Sequence, residues 1–388
     1  MPYGKKMKYS ALSEKLLSDP IVGHIFKLTP GFEVYLIGGY LRDMFLGKPS
    51  KDMDFIIKNH LPPLIKQLAV DFDATVVSLR DEKVFRLVLK DSHTIDFSLF
   101  TEELNENLKS RDFTINALAW SPGKGLIDIV NGLQDIDLMI VRAIKRDNLI
   151  ADPLRLLRAY RMASEINGII EEVTRGYIVE LAELVSLPSP ERITFELFNI
   201  LSSEHSEKYL RMALSDGILE KIFDLSTNIL GVNLQAVYTL NNTIKQMPSE
   251  FKTGLEEIYS HGLTIKGLLH LEALLHGTNV TAISKRLRFS SDIRKRLLRC
   301  NRAIATYKGG RDKPNLYDTF KNAGNALYDV VLLIGDIKLI DMAERYESIS
   351  SSVSMSSEHI QKVFGLKPGP ELGAMIEELR KKEFVGMP

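Results

Sequence analysis

Two aspartates stand two positions apart in an apolar stretch, Lys51-Asp-Met-Asp-Phe-Ile-Ile57. Side chains alternate between the two faces of a strand, so Asp52 and Asp54 are predicted to share one face. Two carboxylates side by side repel each other unless a cation lies between them, and a divalent metal ion is the usual solution. A third candidate, Asp96, lies in the middle of the β-rich run 94–99, which an adjacent strand could bring to the same edge. Three such carboxylates predict a site for two magnesium ions, the arrangement that supports in-line phosphoryl transfer.

A pair of glycines precedes these carboxylates. Gly38 and Gly39 end an apolar run and begin a stretch with helical character. Because they lack side chains, they allow backbone N–H groups at a helix N-terminus to approach a phosphate. An isolated Asp-x-Asp is most often a solvated strand end, and an isolated Gly-Gly is most often a turn. The two together, in this order and at this spacing, favour a nucleotide phosphate site.

These residues resemble the signature of the polymerase-β-type nucleotidyltransferase superfamily. They resemble more closely the class II tRNA nucleotidyltransferases and bacterial poly(A) polymerases, whose pattern is Gly-Gly-x-x-Arg-Asp, then Leu-Gly, then Asp-x-Asp. The resemblance implies that Asp52, Asp54 and Asp96 are catalytic and hold two Mg²⁺ ions. It also implies a group that positions the nucleotide triphosphate: Gly38, Gly39, Arg42 and Asp43.

A second motif, Arg111-Asp-Phe-Thr-Ile-Asn-Ala-Leu-Ala119, resembles the Arg-Arg-Asp-Phe-Thr-x-Asn-Ala block of the same family. The resemblance places Arg111 and Asp112 around the ribose and phosphates of the nucleotide. Ser110 stands where the family pattern has a basic residue. Asn116 either ties this segment to the rest of the domain or is a structural amide.

The run from Asp152 to Arg161 predicts a helix, with Asp152 as a capping carboxylate followed by a proline at the first helical position. Arg155, Arg158 and Arg161 recur every three residues and form one basic stripe opposite an apolar side. Such a stripe is usually a solvated face. The family resemblance implies instead that Arg158 and Arg161 bind the triphosphate, and that Asp152 and Arg155 read the base of the nucleotide.

The predicted fold class is an α+β head of the polymerase-β-type nucleotidyltransferase fold, followed by an all-helical neck, body and tail. Strands are predicted at residues 32–37, 54–57, 75–79, 85–89 and 94–99. Helical periodicity takes over after about residue 146. We expect a catalytic head at 1–145, a neck with the nucleotide-selecting helix at 146–206, a body at 207–310 and a tail at 311–388, interrupted by a Ser/Met-rich stretch at 348–357.

Composition excludes several classes of protein. The 388 residues contain 50 Lys and Arg and 50 Asp and Glu, so a uniformly basic nucleic-acid coat is excluded, although a local basic patch is not. The single cysteine excludes a disulfide framework and suits a reducing compartment. Neither a bilayer-spanning run nor a signal peptide is evident, so we expect a cytoplasmic protein without a membrane partner. None of the eight histidines precedes an aspartate, the dipeptide that marks the metal phosphohydrolase domain of many relatives.

A basic stretch near residue 290 is the candidate tRNA-binding surface. A stretch of this kind is often a solvated helix face, but contact with the phosphate backbone of RNA would fit an RNA-processing head. The candidate tRNA-binding residues are Lys285, Arg286, Arg288, Arg294, Lys295 and Arg299.

The combined expectation is a template-independent transferase that adds CMP from CTP, and possibly AMP from ATP, to the 3′ end of tRNA. The segment 97–110 is short compared with the flexible loop of typical CCA-adding relatives, and Ala151 replaces a family glutamate. Both features favour the addition of CC alone over full CCA. The alternatives are a poly(A) polymerase or A-adding enzyme of the same family, a small-molecule nucleotidyltransferase, and a catalytically silent RNA-binding module.

Overall fold

All five predicted strands form, and they belong to one seven-stranded mixed sheet. The computed structural model describes residues 9–59, 61–79, 83–309, 312–352 and 356–386. The strands are β1 (Val34–Ile37), β2 (Asp52–Ile57), β3 (Thr75–Leu79), β4 (Val84–Val88), β5 (Thr94–Leu99), β6 (Leu118–Ser121) and β7 (Gly125–Asp128). Their order is β3-β4-β5-β2-β1-β6-β7, and the β2–β5 pair is parallel whereas the other pairs are antiparallel. Periodicity did not predict β6, because all four of its residues are buried and no polar alternation marks it.

The helices of the first half of the chain surround this sheet. They are α1 (Tyr9–Ser18), α2 (Pro20–Leu28), α3 (Gly39–Phe45), α4 (Leu61–Asp71), α5 (Leu104–Lys109), α6 (Gly132–Asp137), α7 (Arg146–Ala151), α8 (Leu154–Ile166) and α9 (Glu172–Glu180). A short pair of parallel strands, β8 (Ile140–Val141) and β9 (Ile169–Ile170), joins the start of α9 to the segment after α6. The predicted all-helical region after residue 146 therefore contains a short strand.

Aromatic side chains fill the core on one face of the sheet. Phe55 on β2 and Phe97 on β5 are stacked with ring centroids 5.2 Å apart. Phe26 of α2 covers this face, with its ring 5.9 Å from Phe55 and 5.1 Å from the buried Trp120. Asp52 and Asp54 alternate with Phe55 along β2, so the carboxylates lie on the opposite face.

The face that carries the carboxylates is covered in part by α5. Leu104 and Leu108 of this helix pack into a cluster with Tyr35, Ile37 and Ile56. The segment 97–110 therefore consists of the end of β5, a short connection and helix α5, which packs against the sheet and reaches the Arg111 motif through its C-cap residue Ser110.

Helices also form nearly all of the second half of the chain. They are α10 (Pro190–Ser202), α11 (Ser206–Ser215), α12 (Ile218–Phe223), α13 (Thr227–Lys245), α14 (Ser249–Gly254), α15 (Ile265–Leu274), α16 (Val280–Arg286), α17 (Ser291–Thr306), α18 (Lys313–Ala323), α19 (Leu327–Ile334), α20 (Leu339–Ser351), α21 (Ser357–Phe364) and α22 (Pro370–Gly386). A small antiparallel pair, β10 (Ile258–Ser260) and β11 (Leu263–Thr264), precedes α15. Tyr317, Phe320 and Phe384 are buried in one core between α18 and α22.

The chain divides into two compact units, one ending at Leu184 and the other beginning at Val185. The predicted division into head, neck, body and tail remains a prediction. Its junction at residues 310 and 311 lies outside the described residues, as do residues 353–355 of the Ser/Met-rich stretch. Among the described residues, no helix combines the length and the apolar character needed to cross a membrane.

Candidate active site

Strand register brings the three candidate carboxylates together. Asp54 on β2 lies opposite Asp96 on β5, and Asp52 lies opposite Thr94, whose hydroxyl donates to the Asp52 carboxylate at 2.5 Å. Burial raises the pKa of the Asp54 carboxyl, and the charges of Asp96 and Asp52 add to this, whereas Arg111 opposes it. The raised pKa follows mainly from burial, and the two neighbouring carboxylates on this edge of the sheet add to it.

The carboxylate of Asp96 is paired with an arginine that sequence reasoning did not single out. Arg86 of β4 lies opposite Asp96, and its Nε and Nη2 donate to the two carboxylate oxygens at 2.8 and 2.7 Å. The hydrogen bonds to Asp96 raise the pKa of the Arg86 guanidinium. Only the register of the two strands reveals this contact, because it places Arg86 opposite Asp96 across the turn that joins β4 to β5.

Gly38 has a steric role at the start of α3. Its φ of +76° is rarely adopted by residues with a side chain, and a Cβ there would lie 3.1 Å from Arg111 Nη1 and 3.4 Å from Asp54 Oδ2. The N–H of Gly38 donates to the Leu118 carbonyl at 3.0 Å. The Gly38 amide is therefore bonded to β6, and the approach of a phosphate to the backbone N–H groups at the start of α3 stays a prediction.

A buried polar network links the first motif to the second. The Arg42 guanidinium donates to Asp43 at 2.9 Å and to the Asn116 side-chain oxygen at 2.6 Å. The Asn116 amide in turn donates to Asp112 at 3.1 Å, and Arg158 Nε lies 3.4 Å from the other oxygen of Asp112. Asn116 therefore ties the Arg111 motif to α3.

The buried position of Asp112 does not neutralise it. Burial by itself would raise its pKa, but the charge of Arg158 and the hydrogen bonds from Asn116 and the Phe113 N–H bring the pKa below its ordinary value. Burial lowers the pKa of Arg111, while the charges of Asp54 and Asp112 oppose this shift. Asp54, Arg111, Asp112 and Arg158 thus form a series of alternating negative and positive charges.

Helix α8 has the two-sided character that its sequence predicts. Leu156, Leu157 and Tyr160 are fully buried on one side. On the other side lie the three arginines of the basic stripe. Arg155 Nη1 donates to the Ser110 carbonyl at 2.9 Å and to the Asn148 carbonyl at 3.1 Å, and Arg161 pairs with Glu165 at 2.7 Å.

The predicted N-cap position of α8 is wrong by one residue. Helix α8 begins at Leu154, and its N-cap residue is Pro153, not Asp152. Asp152 is the C-cap residue of α7: its N–H donates to the Asn148 carbonyl, and its own carbonyl accepts from the Arg155 N–H. The backbone of Asp152 therefore joins the two helices.

A cleft of about 400 Å³ lies between the carboxylate edge, α3 and α8, entirely within the first unit. Its lining is rich in charge, and five of its residues are arginines. It is lined by Gly39, Tyr40, Arg42, Asp43, Ser50, Asp52, Asp54, Asn107, Ser110, Arg111, Asp112, Asn116, Arg155, Arg158, Arg161 and Met162. A cleft with carboxylates on one wall and guanidinium groups on the other can hold a polyanion together with metal ions.

Most of the candidate catalytic and nucleotide-binding residues line this cleft, and three of them do not. Gly38 lies behind Gly39, Asp96 lies beyond Asp54 with Arg86, and Asp152 lies in the turn before α8. Sequence reasoning missed Tyr40, Ser50, Asn107 and Met162 as lining residues. Of these, Met162 follows Arg161 directly and its sulfur accepts from Arg42 at 3.1 Å, yet an apolar residue on a helix gives no pattern by which to predict this.

Asn148 is a further residue whose role appears only in the structure. Its side-chain amide donates to the Lys109 carbonyl at 2.8 Å and to the Arg111 carbonyl at 2.7 Å. Together with the Arg155–Ser110 hydrogen bond, these contacts fasten the end of α5 to α7 and α8. Helix α5 is therefore held by the sheet on one side and by α7 and α8 at its C-terminal end.

The candidate tRNA-binding residues lie in the second unit, on α16, α17 and the turn between them, and all six are exposed. Arg286 also has a structural role, since its guanidinium donates to the carbonyls of Lys221 and Ile222 at 2.7 and 3.0 Å. Arg288 lies 3.5 Å from Glu191, and Arg299 is hydrogen-bonded to Asn325.

Comparisons with known proteins agree with this geometry. The family model of the poly A polymerase head domain matches residues 34–100 and 85–142, and that of the probable RNA and SrmB-binding site of polymerase A matches 169–228. A CC-adding tRNA nucleotidyltransferase of Geobacter sulfurreducens is 28% identical, over 92% of this chain and 89% of its own. A CCA-adding enzyme of Streptococcus suis is 26% identical, over 90% and 88%.

Solved structures share the fold. The Thermotoga maritima CCA-adding enzyme complexed with tRNA superposes with a TM-score of 0.77 at 18% identity, covering 98% of this chain and 95% of that one. A complex of a CCA-adding enzyme with CTP gives a TM-score of 0.78, also at 18% identity. Fold, carboxylate edge and relatives together define a nucleotidyltransferase of the polymerase-β type. By these matches the chain resembles the class II tRNA nucleotidyltransferases and bacterial poly(A) polymerases.

Proposed function

We propose that this protein is a template-independent tRNA nucleotidyltransferase that adds CMP to the 3′ end of tRNA in the cytoplasm. The observation that carries the proposal is the cleft in which carboxylates on strand β2 face the arginines of α8. In the reaction, the 3′-hydroxyl oxygen of the terminal ribose forms a bond to the α-phosphorus of CTP. The bond to the β-phosphate bridging oxygen breaks and pyrophosphate leaves.

The carboxylate edge fits magnesium. Asp52, Asp54 and Asp96 offer the hard oxygen ligands that Mg²⁺ prefers, and a cation between Asp54 and Asp96, which lie opposite each other, would relieve the repulsion of their charges. These three residues would hold the two ions. Bound Mg²⁺ lowers the pKa of the attacking hydroxyl and neutralises charge on the triphosphate.

The arginines of the cleft account for the position of the triphosphate. Arg158 and Arg161 line the cleft one helical turn apart, with Arg42 and Arg111 on the neighbouring wall. Guanidinium groups bind phosphate oxygens in a bidentate manner, so this set can orient the α-phosphorus toward the carboxylate edge. Asp112 and Asn116 keep Arg158 and Arg42 in place.

The base-reading pair is proposed to be Arg155 and Asp152. Arginine donates to carbonyl or ring-nitrogen acceptors of a base, and a carboxylate accepts from an exocyclic amino group. Arg155 lines the cleft, whereas Asp152 precedes it by one turn and would complete the pair when the nucleotide is bound.

We propose further that the enzyme adds CC and not the terminal adenosine. Asn148 and Arg155 fasten α5 by three hydrogen bonds to backbone carbonyls, so the wall beside the base is held in one form. If α5 cannot move, the space beside the base keeps one size and shape, and such a site favours one base over the other. The CC-adding relative of Geobacter sulfurreducens supports this proposal.

Exposed basic residues on α16 and α17 are proposed to bind the tRNA backbone. Phosphate contacts supply affinity that depends on salt and not on sequence, which suits an enzyme that accepts every tRNA. Lys285, Arg294 and Lys295 are the best candidates, because the guanidinium groups of Arg286, Arg288 and Arg299 are engaged with other groups of this chain.

Incubation with tRNA that lacks its 3′ end tests the proposal. CTP alone should extend the transcript by two nucleotides, and ATP should not extend a transcript that already ends in CC. A long product with ATP alone would instead indicate the alternative within the family, a poly(A) polymerase.

A further inference from the structure

Three charged residues form a row across three neighbouring strands. Asp54 on β2 lies opposite Asp96 on β5, and Asp96 lies opposite Arg86 on β4. Residues directly opposite each other share a face of the sheet, so the row reads anion, anion, cation from the cleft outward. The next row on the opposite face is apolar, with Phe55 and Phe97 stacked beneath it.

Arg86 engages both oxygens of Asp96. Its Nε and Nη2 donate at 2.8 and 2.7 Å, the two-pronged geometry that fixes a carboxylate in orientation as well as in position. The Arg86 side chain is 44% exposed and that of Asp96 is 22% exposed, so an ion pair of this kind adds little to folding stability. Its main effects are on the orientation and the charge of the third carboxylate.

We propose that Arg86 is a positioning residue that also sets the affinity of the site for divalent metal. It holds Asp96 toward Asp54, and as a fixed cation beside the carboxylates it lowers their attraction for Mg²⁺. This inference rests on the metal site that the proposed function assigns to Asp52, Asp54 and Asp96. Removal of the guanidinium abolishes both the orientation of Asp96 and the positive charge. The first effect is measured by kcat and the second by the affinity for metal.

Binding of Mn²⁺ to the full-length, nucleotide-free enzyme, followed by electron paramagnetic resonance, measures the charge effect. Arg86→Gln removes a unit charge close to the site, so Mn²⁺ affinity should rise roughly three- to tenfold. At saturating Mg²⁺, kcat for CMP incorporation should fall because Asp96 has lost its orientation. Tighter metal binding with slower turnover is a combination that general loss of structure does not produce.

Two further variants serve as controls. Arg86→Lys keeps the charge but not the two-pronged contact, so Mn²⁺ affinity should stay near that of the wild type while kcat falls. Lys90→Gln removes a cation from the loop after β4, where Lys90 pairs with the exposed Asp73, and it should change neither quantity. The same thermal unfolding midpoint in all three variants would show that the fold is intact.

Unchanged or weaker Mn²⁺ binding by Arg86→Gln would overturn the inference, as would an unchanged kcat. Asp54→Asn separates this failure from a failure of the proposed function, since it should lose both metal binding and incorporation. If the wild type binds no Mn²⁺, the metal assignment is wrong and the role of Arg86 is overturned with it.

Discussion

At the scale of single residues, Asn116 connects two charged groups that are buried beside the cleft. Arg42 and Asp112 are only 8% and 6% exposed, and the amide of Asn116 accepts from the first and donates to the second. A buried charge without a hydrogen-bond partner costs more free energy than a neutral one, because it has lost its hydration. The Asn116 amide therefore stabilises the fold around the site and also fixes the positions of Arg42 and Asp112.

Asn116→Ala should lower the free energy of unfolding by about 1–3 kcal/mol, because it leaves one hydrogen-bonding position of each buried charge unfilled. The KM for CTP should rise as Arg42 and Asp112 lose their fixed positions. Chemical denaturation and steady-state kinetics measure the two effects. Asn199→Ala, at an asparagine whose amide donates to the Phe195 carbonyl of its own helix, is the control and should change neither. Wild-type behaviour of Asn116→Ala would contradict the assignment.

Asp54→Asn should abolish nucleotide incorporation without lowering stability. The pKa of the Asp54 carboxyl is raised in the fold, so the native state holds its proton more tightly than the unfolded chain does. Stability linked to this group is therefore present at low pH and falls as pH rises above the ordinary value of 3.8. The neutral asparagine avoids this loss, so thermal unfolding at pH 7 should occur at the same or a higher temperature. Residual turnover near that of the wild type would refute a catalytic role.

At the scale of elements, the contact of α7 with the end of α5 is the feature that relates fold to nucleotide choice. Asn148→Ala removes two hydrogen bonds to the Lys109 and Arg111 carbonyls and should loosen this wall of the cleft. The preference for CTP over ATP, measured as the ratio of kcat/KM values, should fall by about fivefold or more, because two hydrogen bonds together contribute about 1–3 kcal/mol. Arg146→Ala, on the same helix but paired with the exposed Glu180, should leave the ratio unchanged. An unaltered ratio in Asn148→Ala would show that the position of α5 does not determine the preference for CTP over ATP.

Three helices of the second unit meet at a buried acidic pair. Glu272 of α15 and Asp329 of α19 lie beside the Cys300 thiol, with ligand-type atoms of all three within 4.8 Å of one another. Arg296 of α17 contacts Asp329 at 2.5 Å and lies 3.6 Å from Glu272. One guanidinium cannot neutralise two buried carboxylates, so Glu272 is expected to keep its proton. Burial and the charge of Asp329 raise the pKa of Glu272 well above its ordinary value.

Glu272→Gln should therefore stabilise the protein at neutral pH. Because the folded pKa of Glu272 is raised, the stability linked to it is full at low pH and falls as pH rises above the ordinary 4.5. The glutamine is neutral at every pH, so the difference in unfolding free energy between variant and wild type should grow from pH 4.5 upward. Urea denaturation at pH 5, 6 and 7 measures it. A variant less stable than the wild type at pH 7 would indicate an ionised Glu272.

At the scale of the whole molecule, the net charge is zero, but positive and negative side chains are concentrated in different regions. Carboxylates gather at the edge of β2, and arginines line the cleft and the exposed side of α17.

The double variant Lys285→Ala/Arg294→Ala should weaken tRNA binding and reduce its dependence on salt, because fewer counterions are released on binding. The affinity for CTP should be unchanged. Glu250→Ala/Lys252→Ala, a change of surface charge elsewhere in the second unit, is the control for tRNA affinity. Equal tRNA affinity in wild type and the Lys285→Ala/Arg294→Ala variant would remove α16 and α17 from the interface.

The motifs predicted the sheet strands that carry Asp54 and Asp96 and the two-sided character of α8, because both follow from the period of the side chains. They could not predict the contacts that depend on register or on packing between distant segments. The pairing of Arg86 with Asp96 and the bond of Gly38 to β6 are of this kind. The start of α8 differs from the predicted one by a residue for a related reason, since a carboxylate before a proline also suits the turn that closes the preceding helix.

The most direct test of the central claim is the extension of a tRNA transcript that lacks its 3′ CCA, with CTP, ATP or both, resolved at single-nucleotide length. We expect two added nucleotides with CTP, none with ATP, and no third nucleotide when both are present. The Asp54→Asn enzyme should add none under any condition. Failure of the wild-type enzyme to add CMP, or a long adenylate product with ATP alone, would contradict the claim.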